Sequence, residues 1–198
     1  MSDEIFAPPT ADTDVVESNE QTFYVVSPTK FLLLSILTIS LYNIYWFYRN
    51  WREVKARDKL GIWPPMRGLF YIFFTHSLFR RVDAELESVG ASRDWSSGVI
   101  ATLGVLMAIV SAVLDRLTRV SIGEPYTDIL SIFMVPIIAF LLLQAQKAIN
   151  LACGDPEGHS NSSLTAANWI WMILGGAFWL LVLIGMYFLV VDPAWLNE

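Results

Sequence analysis

The sequence predicts an all-α integral membrane protein, a helical bundle of four transmembrane helices plus one interfacial amphipathic helix. Three observations carry that expectation. Of 198 residues, 55% are hydrophobic and only 16% are charged, against about a quarter charged in a typical soluble domain, and the mean hydropathy is +0.49. The apolar residues come in long uncharged blocks rather than at helix or strand period. At the end of the first block, "LYNIYWFYRNWREVKARDK" passes from a run of rings into a run of cations. Trp and Tyr settle at headgroup level and Lys and Arg collect just beyond it, so such a change marks a membrane boundary.

Residues 1–26 come first. They carry Asp3, Glu4, Asp12, Asp14, Glu17 and Glu20 and two prolines, a composition expected to stay disordered because it buries too little apolar surface to fold. The stretch lacks the basic start and apolar stretch of a signal peptide. Residues 27–198 are the expected membrane domain. Ser27-Pro28 reads as an N-cap followed by proline at the first helical position. Spans are expected at about 29–48, 95–115, 127–147 and 167–191. About twenty residues at 1.5 Å each cross a hydrocarbon core about 30 Å thick, and in lipid each span must satisfy its own backbone as a helix. Pro136 removes the bond to the Ile132 carbonyl and predicts a kink in the third span, read as a tolerated bend or as a gating hinge. Ser163 or Thr165 caps the fourth span, and Asp192-Pro193 ends it.

Between the first two spans, Gly68–Phe79 offers only twelve residues between charges, too few to cross. Residues 64–88 are therefore expected as a helix that lies in the interface or dips into one leaflet and returns; a distorted fifth span is the alternative. On the first helix Tyr42, Tyr45, Trp46 and Arg49 follow i, i+3, i+4, i+7 and share a face. With Trp51 and Arg52 they are read as interface anchors that set helix depth, or alternatively as an aromatic recognition face. Nine Lys and Arg fall between residues 49 and 95, which the positive-inside rule makes cytoplasmic. A four-span threading then puts both termini outside, with ten cations inside and three, including Lys30, outside.

Chemistry is sparse. His76, between Phe73 and Phe79, is the one ionisable ring near membrane depth and a candidate for ligand binding or proton transfer, with Asp83 or Glu87 as acidic companions. An interfacial histidine without such a role is the simpler reading. Polar groups within the spans (Ser35, Thr38, Ser40, Asn43, Thr102, Ser111, Ser131) are expected to bond between helices. Small residues at Gly104, Ala108 and Gly175-Gly176 permit close helix approach. The single Cys153 excludes an internal disulfide. Asp155, Glu157 and His159 lie in a turn-rich loop with no helix to space them, so neither a metal site nor a cofactor is expected. Asn161-Ser162-Ser163 matches a glycosylation acceptor, silent on the cytoplasmic side. A basic cluster that abuts an apolar span does not suit nucleic acid. No Walker loop, HExxH, GxSxG or inverted repeat occurs.

The ordered strings "YNIYWFYRNWREVK", "WPPMRGLFYIFFTHSLFRRVD" and "QAQKAIN…GDPEG…N…NWIWMILGGAFWLL" resemble small multi-pass membrane proteins of proteobacteria, of the domain-of-unknown-function kind. The resemblance implies a bacterial inner membrane and supplies no functional residues. The expected role is a non-enzymatic membrane interaction or scaffold module with a basic cytoplasmic segment, in contact with the bilayer and with a protein partner or further copies of itself. The rival readings are a small oligomeric permease or channel, and a membrane enzyme acting on lipid headgroups.

Overall fold

In the computed structural model, residues 22–92 and 94–191 are described, with the side chains of 189–191 excepted; the acidic tail and the Asp192-Pro193 stop lie outside these residues. Of the described residues 77% are helical and none forms a strand. Helices run α1 Pro28–Leu37, α2 Leu41–Asp58, α3 Pro64–Leu69, α4 Tyr71–Ser88, α5 Ser97–Thr118, α6 Tyr126–Ala152 and α7 Ala166–Val191. Three of them, α5, α6 and α7, are long and apolar enough to cross a membrane. α6 continues as helix through Pro136. Its far end carries the Gln146 and Asn150 side chains that organise the site described below.

The expected first span is not one helix. α1 stops after ten residues, a rise of about 15 Å, half the hydrocarbon thickness. Ile39 and Ser40 then take left-handed backbone (φ 52° and 64°), which reverses the chain into α2. The turn satisfies itself locally: Thr38 Oγ1 donates to the Leu34 carbonyl (2.7 Å) and accepts from the Tyr42 amide (3.0 Å). Rings then zip the two helices together, with Phe31 edge-on to Tyr42 (6.0 Å) and to Trp46 (5.6 Å). α1 and α2 form a helical hairpin, not half of a crossing pair.

Residues 64–88 also depart from one interfacial helix. α3 and α4 are separate, broken at Phe70. Gly68 lets α3 lie directly on α2, since a Cβ there would meet the Ile44 oxygen at 2.8 Å and the Tyr48 Cβ at 2.9 Å. Tyr71, at the start of α4, stacks on Phe47 (4.9 Å). α4 then returns to the level of Asp58, where Arg81 reaches the Asp58 carboxylate (2.6 Å). Its inner face, Leu78, Phe79 and Val82, is fully buried. The segment therefore doubles back beside α2 instead of running on as one helix.

Both hairpins open at the same end of the bundle. The α6–α7 loop closes that end too, because Lys30 Nζ donates to Asn161 Oδ1 (2.6 Å) and to the Ser163 carbonyl (2.7 Å). Both hairpin tips lie deep. Trp179 Nε1 of α7 donates to the Ile36 carbonyl (2.8 Å). Gly175 is required beside it, because any Cβ there would overlap the Leu37 carbonyl oxygen. α7 packs chiefly on α1, and its other faces, Ile173, Leu181 and Phe188 among them, are exposed.

Candidate functional site

The polar chemistry of the open end begins with an amide cluster. Trp46 and Asn50 are one turn apart on α2, and Gln146 and Asn150 one turn apart on α6, so each pair shares a face. Trp46 Nε1 donates to Gln146 Oε1. Gln146 Nε2 donates to Asn150 Oδ1 (2.6 Å) and to the Tyr24 carbonyl (3.3 Å). Asn150 takes Val26 at both ends, accepting from its amide (3.4 Å) and donating to its carbonyl (3.0 Å). Asn50 Oδ1 accepts from the Tyr24 amide (3.2 Å), and Asn161 Nδ2 donates to the Val25 carbonyl (2.9 Å). Residues 23–26 have no strand neighbour, so four side-chain amides take the place of a ladder. Burial without those bonds would cost about 1–3 kcal/mol per group.

This strap bears on sidedness. Tyr24 lies under Arg49 (4.4 Å to the ring centre) and Phe23 under Arg57 (5.6 Å). Thr22–Ser27 and the basic half of α2 therefore sit at one end. The expectation that put the N-terminal side of the first helix opposite residues 49–95 does not fit these contacts, because it required an uninterrupted first span.

Around the cluster lies an ionic layer. Arg57 bonds Asp58 (2.7 Å) and Glu85 (2.6 Å), and Arg81 bonds Asp58 (2.6 Å). The hydrogen bond from Arg57, with help from Arg81, holds the Asp58 carboxyl below its usual range. Arg49 and Arg52 both reach Glu53 (3.3 and 3.2 Å). Arg67 lies over the Trp51 ring (4.2 Å) and the Phe74 ring (4.8 Å). Much of the basic segment thus neutralises itself. Lys55, Lys59 and Arg80 are exposed and join no ion pair among the described residues.

The six residues read as interface anchors divide. Tyr45 and Arg52 face outward, while Tyr42, Trp46 and Trp51 are 7%, 0% and 0% exposed. Arg49 bridges Tyr45 (2.9 Å) and Glu53. His76 and Asp83 find different partners: His76 Nε2 lies 3.0 Å from Thr102 Oγ1, and Asp83 accepts from Ser97 Oγ. Both bonds tie α4 to α5. Asp155 turns inward on its own loop, accepting from the His159 and Ser160 amides (2.9 and 2.8 Å), and the Ser160 amide leads in holding its pKa low. Cys153 is a half-buried thiol pushed up to about 11 by burial, which disfavours the reactive thiolate. Among the described residues no group of three His, Cys, Asp or Glu is placed to hold a metal ion.

Gln146, Asn150 and Asn50 were not singled out from sequence. The signal was there: Gln-x-x-x-Asn on an otherwise apolar helix puts two amides on one face, next to a second helix reading Trp-x-x-x-Asn. Compared with family models, curated proteins and solved structures, the chain finds no match.

Proposed function

We propose that this is a non-enzymatic module of a bacterial inner membrane, held by three crossings and two hairpins that enter one leaflet, and that it engages a second copy or another protein through the basic end. The observation that carries the reading is the convergence at one end of both hairpin mouths, the α6–α7 loop and the cations. With α1 and α2 returning to their starting side, ten of the twelve described Lys and Arg lie at that end, leaving Arg116 and Arg119 at the other. This is a stronger bias than four spans produce, and it favours a cytoplasmic open end. Lys55, Lys59 and Arg80, left over from the internal ion pairs, form the contact surface. Next to anionic headgroups each adds about 1 kcal/mol of attraction.

A photoreactive residue in place of Lys55, in native membranes, tests this. The expected result is a discrete crosslinked species, a dimer or one protein neighbour, that disappears when Lys59 and Arg80 are changed to Glu. Capture of lipid alone would sink the proposal. Ion or solute flux through liposomes bearing the pure protein would favour a permease instead.

A further inference from the structure

Beneath the two hairpin tips the other half of the bundle is not filled. A cavity of about 940 Å³ lies between α5, α6 and α7, roofed by Ile39, Ser40, Tyr71 and Ile72 at the tips. Its walls are apolar, with Ile132, Val135, Phe178 and Met186 among them. At its far end stand Asp115, near the C-terminus of α5, and Asp128, in the first turn of α6. This polar end is opposite the mouth of the hairpins and belongs to none of the clusters above.

The two carboxylates differ. Asp115 accepts from Ser131 Oγ, a bond that joins α5 to α6. Asp128 Oδ2 is shut off from solvent with no hydrogen-bond partner. Neither joins an ion pair among the described residues. A buried carboxylate oxygen without a donor is costly, and an ionisable group at membrane depth is a functional hypothesis that calls for a partner. The cavity is at the upper size of ligand pockets, which are likewise mostly apolar with a few converging polar groups.

Its length identifies the occupant. From Asp128 to Ile138, both lining residues, α6 rises about 15 Å, the depth of one leaflet. An alkyl chain anchored at the carboxylates would end at the hairpin tips. We propose that the cavity takes one membrane lipid whose headgroup carries a primary ammonium, its chain against the apolar walls and its N–H donors on Asp115 and Asp128. Three such donors suit two carboxylates, and charge-assisted bonds to a carboxylate are the stronger kind. Arg116 and Arg119, exposed one and four residues beyond Asp115, are the cations nearest to it in sequence that could meet the lipid phosphate. The inference rests on the membrane placement of α5–α7 and not on the scaffold role.

The full chain, reconstituted in phosphatidylglycerol vesicles, is irradiated with a minor fraction of phosphatidylethanolamine bearing a diazirine in its acyl chain, or of phosphatidylglycerol bearing the same chain. Labelled peptides from α5, α6 and α7 are counted. The ethanolamine lipid should label them about tenfold more, the ratio that one favourable charge contact of modest strength gives. Asp128→Asn breaks no hydrogen bond in the structure and should bring that labelling down to the glycerol level. Gly185→Leu, whose Cβ enters open space within the lining, should lower labelling by both lipids. Unfolding temperature in detergent confirms that both variants fold. Equal labelling by the two headgroups, or labelling that neither substitution lowers, would overturn the proposal.

Discussion

Asp58 shows how much of the charge here is internal. Two arginines from different helices close on it, and Asp58→Asn should cost about 1 kcal/mol at neutral pH, as for a partly exposed pair in a network. Its folded pKa is depressed from 3.8, so its contribution is present above that value and is lost as pH falls through the lower folded value. The gap in unfolding temperature between wild type and Asp58→Asn should therefore hold at neutral pH and close below pH 3.8. A gap that persisted in strong acid would mean that the arginines do not act on this carboxylate. Gly175 is the steric counterpart. Gly175→Ala forces a methyl into the Leu37 carbonyl and should destabilise by about 1–3 kcal/mol, as overpacking does. Gly176→Ala, with open space around its Cβ, should be neutral or gain the roughly 1 kcal/mol helix preference of Ala. Paired thermal unfolding in detergent separates the two.

At the level of elements, the strap and the reversal are the parts that hold the open end and the hairpin in place. Asn150→Leu leaves the Val26 amide and carbonyl without their partners. It should speed proteolysis near Thr22–Ser27 severalfold while the three crossings stay protected, since one such buried group is worth about 1–3 kcal/mol; unchanged cleavage would show that the strap is held by something else. Ser40 sits at φ 64°, where a side chain costs about 1–2 kcal/mol and glycine costs little, so Ser40→Gly should raise the unfolding temperature. Neither element was plain from sequence. α5, α6 and α7 were legible within a few residues at most of their ends, because lipid leaves a long uncharged block one option. The reversal at Thr38–Ser40 carries no proline, glycine or charge. It stands because Trp179 and Gly175, far along the chain, meet the end of α1. A hydropathy window sees "FLLLSILTISLYNIYWFY" as continuous, and only the tertiary contact breaks it.

For the whole molecule, the same lack of long-range information explains how the open end was read. The run of rings beside the run of cations was visible, and it does mark an end of the bundle. Which rings face inward was not, because Trp46 and Trp51 are covered by residues sixteen or more positions away, Gln146, Arg67 and Phe74. Charges counted as free were likewise taken up by Asp58 and Glu85. In lipid, burying more apolar surface between helices brings little gain, so packing and interhelical hydrogen bonds must hold the bundle together. That is why buried amides, not the apolar face alone, organise this fold. The result is lopsided: the two hairpins crowd one end of the bundle, while among the described residues α5, α6 and α7 are the helices long and apolar enough to cross a membrane.

The hairpin returns α1 and α2 to the side they left. Single cysteines at Thr22, Lys59 and Ser121, in a Cys153→Ala background, would be labelled with an impermeant thiol reagent in right-side-out and in inverted vesicles. Positions 22 and 59 should react from the same side and position 121 from the opposite one. Labelling of 22 and 59 from opposite sides would restore a fourth crossing and contradict the hairpin.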